Sequence, residues 1–199
     1  MSEFDKFARD YESILSGSTK AYGFSPSYFD EYKIREVCRF VKSEGLENKE
    51  IKFLNFGCGT GRSEKFIRKY FMKAVICSID VSEKSIEIAT ENNRELNNAV
   101  FKSFDGYRIP FEDKFDIIFA ANVFHHIAHK EHAVVLKRIY QSLNKNGFLF
   151  IFEHNPLNPI TLKIVRSCEF DKDVKLLNPF YTNKILSQSG FEWRKIRFI

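Results

Sequence analysis

The sequence predicts an α/β fold built on a doubly wound, mostly parallel sheet with an N-terminal helical cap. Three observations carry that expectation: short apolar runs recur with helix-patterned segments between them, a glycine-rich turn closes the first run, and an acid closes the second. The runs lie at residues 51–56, 74–79, 99–104, 115–121 and 148–152, each the length of a strand and poor in charge, as strands covered on both faces are. Between them, 63–71, 83–95 with Ile86 and Ala89 inward, and 132–143 with Val135, Leu136 and Ile139 inward carry the three-to-four spacing of helices. Alternation of this kind requires right-handed crossovers, and hence parallel pairing.

Element ends agree with this pattern. Ser82 precedes Glu83 and stands three residues before Ser85, which places an N-cap just past the second run. Asn144-Lys145-Asn146-Gly147 reads as a turn that stops one helix and starts the fifth strand. Before residue 50, segments 4–15 and 28–41 read as two helices, separated by Ser16-Gly17-Ser18 and Gly23-Phe24-Ser25-Pro26, and form the cap. After the fifth strand, Asn155-Pro156-Leu157-Asn158-Pro159 breaks the chain, 161–166 and 182–189 look helical, Gly190 ends the latter, and 191–199 reads as a sixth strand. A single domain over 1–199 is expected: a cap at 1–50, a core at 51–154 and an extension at 155–199 that stops before the antiparallel seventh strand with which such sheets usually close.

Composition narrows the function classes. With 44% hydrophobic and 29% charged residues in 199, the chain can build a full globular core. The net charge of +5 is scattered without runs, so nucleic acid is not indicated as a partner. Cys38, Cys58, Cys77 and Cys168 lie far apart, without zinc spacing, and are expected to be free thiols in a reducing cytoplasm. No apolar stretch approaches the roughly 20 residues that span a bilayer, so a soluble cytoplasmic protein is expected.

Gly57, Gly59 and Gly61 sit where a buried strand turns into a helix, so a ligand can approach the backbone where side chains would otherwise stand. A dinucleotide fingerprint would need glycine at Arg62, to pack the helix that receives a pyrophosphate. The G-x-G-x-G spacing instead suits a ligand whose amino-acid and ribose parts cross the loop, and it disfavours a nicotinamide oxidoreductase. Asp80 follows about 20 residues on, the distance at which an acid accepts hydrogen bonds from ribose hydroxyls. Its competing reading is a charge at a helix N-terminus beside Ser82. Asp105, after the third strand, can accept from an adenine amino group or serve as a turn residue beside Gly106.

Taken together, Leu54-Asn55-Phe56-Gly57-Cys58-Gly59-Thr60-Gly61, Asp80, Asp105 and the segment from Phe115-Asp116-Ile117-Ile118 to Asn122-Val123-Phe124-His125-His126 make residues 51–152 resemble the class I, Rossmann-like S-adenosylmethionine-dependent methyltransferases of small-molecule type. The resemblance implies a Rossmann-like methyltransferase fold, S-adenosylmethionine as cofactor and S-adenosylhomocysteine as product. It also implies that Gly57, Cys58 and Gly59 lie against the methionine part, that Asp80 binds the ribose, that Val81 faces the adenine with Asp105 on its amino group, and that Asn122 and Val123 line the cofactor floor. Phe4-Asp5-Lys6-Phe7-Ala8-Arg9-Asp10-Tyr11-Glu12 resembles the family's opening helix, which carries Tyr11 to the cofactor's carboxylate end; packing of Phe4, Phe7 and Tyr11 as an apolar stripe is the alternative. Many members have an acid where this chain has Asn55. An amide accepts but brings no charge, so weaker cofactor binding is expected.

Acceptor-side chemistry is read from His125, His126 and His154, which follow strands four and five and can converge on one mouth. An oxygen acceptor must lose a proton, and histidine is the usual agent near neutral pH. His126 or His154 is expected to be the base, with Glu153 orienting an imidazole, while helix capping or packing remains the alternative for each. His129 and His132 are expected to be solvated, and no metal is expected, although three histidines and Glu153 could supply ligands. Tyr28, Phe29, Tyr32 and Lys33 could meet cofactor or substrate, with core packing the favoured role. The segment 153–161, with 166–171 and 28–33, resembles a bacterial subgroup associated with polysaccharide and sugar-lipid synthesis. The expected activity is O-methylation of a small or sugar- or lipid-linked acceptor; a non-catalytic cofactor-binding module and RNA methylation are the alternatives.

Overall fold

The structure, a computed structural model, describes residue 5 and residues 25–46, 49–168, 171, 174–192 and 194–198. Its centre is a parallel five-stranded sheet of β1 (Lys52–Phe56), β2 (Val75–Asp80), β3 (Ala99–Ser103), β4 (Phe115–Ala121) and β5 (Leu143–Phe152), in the order β3-β2-β1-β4-β5. The helices are α1 (Pro26–Ser43), α2 (Glu64–Tyr70), α3 (Glu83–Asn92), α4 (His132–Ser142), α5 (Pro159–Ser167) and α6 (Pro179–Gln188). Strand order reverses at β1, so the carboxyl ends of β1 and β4 lie side by side with their loops diverging. Open α/β sheets bind ligands at such a point.

Both faces of the sheet are covered. Neighbours on β1 point to opposite sides, yet Phe53 and Leu54 are both fully buried. Leu54 joins Ile79, Ile118, Ala120 and Leu136 in one apolar cluster, whereas Phe53 joins Ile34, Val37, Ile76 and Phe119 in the other. Burial on both sides is why the central strands read as continuous apolar runs.

Local signals set the helix starts. The Ser25 hydroxyl accepts from the Tyr28 N–H ahead of Pro26, and the Ser82 hydroxyl accepts from Ser85 N–H at 3.0 Å. Asn158-Pro159 and Asn178-Pro179 do the same for α5 and α6, so both helices begin earlier than residues 161 and 182. The helix expected to reach residue 95 stops at Asn92, because the Asn93 amide turns back to Ala89 O and Gly61 O, each at 2.8 Å. The expected turn at Asn144–Gly147 is instead the first part of β5, paired with an irregular register beside Phe115 and fastened by Asn144 Nδ2 donating to Asp116 Oδ1.

The sixth strand expected at 191–199 is corrected: none of residues 191–192 and 194–198 is in a strand. The Arg194 guanidinium folds that segment on itself, donating to the carbonyls of Phe191 and Glu192 and to Asn183 Oδ1. The expected helix at 4–15 lies outside the described residues apart from Asp5, which accepts from the Ser82 hydroxyl at 2.6 Å. Among the described residues no helix is long and apolar enough to cross a membrane.

Candidate functional site

The loop after β1 is pinned by two backbone hydrogen bonds, from Gly57 N–H and Cys58 N–H to the Ile79 carbonyl at 2.8 and 2.9 Å. All three glycines have positive φ, but for different local reasons. A β-carbon on Gly57 would stand 2.4 Å from Val123 Cγ2, and one on Gly61 would stand 2.5 Å from Asn93 Nδ2. Among the described residues, a β-carbon on Gly59 would meet nothing within 4 Å, although φ there is +53°. Gly57 and Gly61 are therefore required by packing, whereas Gly59 faces space that no described residue fills.

That space belongs to a cleft of about 1850 Å³ over the carboxyl ends of the strands, larger than one small ligand needs because it continues along β5. Asn55, Gly57, Cys58, Gly59, Asp80, Val81, Asp105, Asn122 and Val123 all border it; Tyr11 lies outside the described residues. Asp80 receives the N–H groups of Gly59 (2.8 Å, Oδ2) and Ser82 (2.9 Å, Oδ1). Burial raises its pKa and those hydrogen bonds oppose the rise. Each oxygen keeps acceptor capacity for a ligand hydroxyl. Asp105 is exposed at the rim, where Oδ1 accepts from the N–H groups of Arg108 and Tyr107 and its pKa is held below the usual carboxylate value. The turn reading of Asp105 thus describes one oxygen and leaves the other to the cleft. Burial pushes the Cys58 thiol well up in pKa, so it stays protonated.

Asn55 has a partner that sequence reasoning missed. Its amide donates at 2.8 Å to Oε1 of Glu64, a fully buried acid in the first turn of α2, and Oε1 also receives the Ser78 hydroxyl at 2.7 Å. Burial raises the Glu64 pKa against these bonds. The carboxylate absent from position 55 is therefore present one layer behind it. An acid opening the helix after the loop was the available signal.

Opposite the glycine loop, the 3₁₀ turn Phe124–His126 follows β4, and Glu153 follows β5. Glu153 Oε1 receives the N–H groups of Val123 (3.0 Å) and Phe124 (2.7 Å), while Oε2 holds His125 Nδ1 at 2.5 Å. The expected orienting role of Glu153 thus falls on His125 and not on His126 or His154. Asp171 completes the group: Oδ1 is 3.4 Å from His125 Nε2 and 3.3 Å from His126 Nε2, and Oδ2 is 4.0 Å from His154 Nε2. Burial opposes charge on His125, yet the two neighbouring carboxylates, Asp171 at 3.4 Å and Glu153 through its hydrogen bond, prevail and raise its pKa to about 9. His126 and His154 are lowered to about 4, first by burial and then by the charge on His125.

Three further expectations change. His132 is fully buried, its Nε2 donating to the carbonyls of Phe124 and Ile127, and His129 stacks on Tyr181 at 4.6 Å, so neither histidine is a solvated side chain. Tyr28 and Phe29 are exposed and border the cleft, which rules out a core role. Lys33, on the same face of α1, has its pKa lowered by burial against the pull of Asp30 and Glu153.

Residues 54–151 match a family described as a methyltransferase domain. The chain is 27% identical over 137 residues to malonyl-[acyl-carrier protein] O-methyltransferase of Bacillus cereus strain ATCC 14579, a match covering 68% of this chain and 49% of that one. An uncharacterized methyltransferase of Staphylococcus carnosus strain TM300 is 27% identical over 153 residues, covering 77% of this chain and 67% of that one. The chain thus spans about half to two thirds of the length of these relatives. Magnesium protoporphyrin IX methyltransferase from Synechocystis PCC 6803, solved with bound S-adenosylhomocysteine, superposes with a TM-score of 0.66 at 16% identity over 94% of this chain and 86% of that one. With the reversing strand order and the Gly57–Gly61 loop beside Asp80, these matches lead to one conclusion. The chain belongs to the class I, Rossmann-like S-adenosylmethionine-dependent methyltransferases.

Proposed function

We propose that this chain catalyses methyl transfer from S-adenosylmethionine to an oxygen of a small acceptor seated against the histidine cluster. The observation that carries the reading is one cleft bordered on one side by Gly59 and Asp80 and on the other by His125, His126, His154 and Glu153. The residues fit the cofactor: Gly59 leaves space where a side chain would stand, Asp80 has acceptor capacity for ribose hydroxyls, and the outer oxygen of Asp105 can accept from an adenine amino group. Asn55 and Cys58 would border the methionine part, Val81 the adenine, and Asn122 and Val123 the floor. When bound, the cofactor supplies a methyl group on a sulfonium that is open to in-line displacement.

The chain's own work is then to position the acceptor oxygen, exclude water and receive a proton. His126 is the favoured proton acceptor: it borders the cleft beside Asp171, and its imidazole is neutral. Glu153 acts by holding His125 rather than by touching the acceptor. Glu64, which receives the Asn55 amide, gives the loop an acid behind position 55 and so weakens one of the grounds for the non-catalytic reading.

Calorimetric titration with S-adenosylhomocysteine is the first test. Absence of heat at high protein concentration would end the proposal. A labelled-methyl assay on small carboxylic acids, acyl thioesters and sugar hydroxyls then identifies the acceptor class. His126→Gln is expected to lower kcat while leaving the affinity for S-adenosylhomocysteine unchanged.

A further inference from the structure

We infer that His125, His154 and Asp171 hold a divalent transition-metal ion of the zinc class at the acceptor end of the cleft. The first support is how His125 is held. Glu153 is fixed by two backbone N–H groups through one oxygen and grips His125 Nδ1 with the other, which sets the ring's orientation and directs Nε2 at Asp171. A carboxylate behind a histidine is the arrangement that orients imidazole ligands toward metals.

The second support is a pair of buried atoms that lack what burial demands. Among the described residues, His125 Nε2 and Asp171 Oδ1 make no hydrogen bond and meet each other only as an ion pair across 3.4 Å. Polar atoms so placed need a partner, and a cation between them satisfies both at once. Metal–ligand bonds of about 2.1 Å in tetrahedral array separate neighbouring ligand atoms by about 3.4 Å. The His125–Asp171 separation has that length, and the 4.0 Å from Asp171 Oδ2 to His154 Nε2 requires only a small closing movement of a partly exposed ring. All three ligand atoms lie within 4.8 Å of one another.

The donor set defines the class of ion. Two imidazoles and one carboxylate favour zinc and its transition-metal neighbours over magnesium or calcium, which prefer all-oxygen sites. Three protein ligands leave a coordination position open, as in catalytic rather than structural sites. Facing the cleft, that position would take a water or the acceptor's own hydroxyl or carboxylate oxygen. The ion would displace the proton on His125 Nε2 and take over its role as counter-charge to Glu153 and Asp171, while the neighbouring Lys33 faces Asp30 and Glu153. The sequence offered three histidines and Glu153 as conceivable ligands; the fold instead turns Glu153 to the back of His125 and brings in Asp171.

The inference rests on these side chains and is independent of methyl transfer, so the test keeps the two apart. Protein freed of metal with a chelator is titrated with zinc chloride alone by calorimetry, and separately with S-adenosylhomocysteine. One equivalent of zinc is expected to bind, at least 100-fold more weakly in Asp171→Asn and in His154→Ala, and 10- to 100-fold more weakly in Glu153→Gln, with the S-adenosylhomocysteine titration of each variant reporting that it is folded. Cobalt chloride added to the unaltered protein should give visible d–d bands without a near-ultraviolet thiolate band, which excludes the four cysteines and decides the question even where a variant fails to fold. Zinc heat without S-adenosylhomocysteine heat would uphold the metal site and overturn the methyl-transfer reading. No zinc heat in protein that binds S-adenosylhomocysteine, zinc binding indifferent to both ligand substitutions, or a cobalt–thiolate band would overturn the metal site.

Discussion

Replacing Gly57 with alanine asks the loop to accept a methyl group it has no room for. The residue sits at φ +73°, where an L side chain costs about 1–2 kcal/mol. The new β-carbon would also lie 2.4 Å from Val123 Cγ2 and 3.0 Å from Cγ1, and relieving an overlap of that kind in a packed interior costs about 1–3 kcal/mol. Together these give about 2–5 kcal/mol, which for a chain of this size lowers Tm by roughly 4–20 °C. The two contributions separate in a double-mutant cycle measured by urea denaturation. Val123→Ala removes both γ-carbons and leaves a contact of 3.3 Å to Val123 Cβ, so in its background Gly57→Ala should keep the backbone cost and lose most of the overlap. A Gly57→Ala protein within about 0.5 kcal/mol of the parent, or a cycle without coupling, would refute the reasoning.

Other positions respond differently. Gly59→Ala meets no atom of the described residues within 4 Å, so it should cost only about 1–2 kcal/mol of stability for its positive φ, yet it should weaken S-adenosylhomocysteine binding strongly in calorimetry. Equal affinity in the two proteins would mean that the ligand does not pass over the loop there. Asp80→Asn gives up the charge that a ribose would meet and one of two backbone acceptors; an affinity loss of about 10- to 100-fold is expected in the same titration, and an unchanged affinity would leave Asp80 as a helix-start charge only. Glu64 titrates with stability. Burial favours its neutral form, so above its ordinary pKa of 4.5 the folded chain keeps a proton that the unfolded chain has shed, and stability falls with rising pH until the raised native pKa is passed. Glu64→Gln should abolish that decline, so denaturation midpoints of the two proteins should diverge in favour of the variant as pH rises above 4.5. A difference independent of pH would count against it.

What was legible in the sequence follows from what is local. β1, β2 and β4 are buried on both faces, which makes each an apolar run, and the glycine loop and Asp80 sit at strand ends where ligands bind in such sheets. The segment 191–199 was misread because alternation marks one covered face, whereas strand formation needs a partner edge; Arg194 spends its donors within its own turn and on Asn183 instead. Glu64 and Asp171 were missed as site residues for a related reason: each matters through a contact that only the packed fold makes. Glu153 illustrates the limit most sharply. Its orienting role was expected, but the choice between His125 and His126 depends on the 3₁₀ turn, which sets the two rings 4.1 Å apart and brings only the Nδ1 of His125 to Glu153.

The two halves of the cleft are linked through a short chain of contacts. Val123, whose side chain denies Gly57 a β-carbon, donates its N–H to Glu153 Oε1, and the other oxygen of Glu153 holds His125. The donor-side loop and the acceptor-side histidine are thus two contacts of one segment at the β4 carboxyl end. Asn122, immediately before it, takes φ +57° with its N–H on Phe152 O, which fixes where that segment leaves the sheet. Displacing Val123 therefore has to disturb Glu153 and, through it, the ring of His125. A bulky residue at position 57 should accordingly impair acceptor-side chemistry as well as cofactor binding, even though position 57 touches none of the histidines. Sequence distance hides this coupling, because residues 57, 123, 125 and 153 share no motif; the adjacency of β1, β4 and β5 in the sheet creates it.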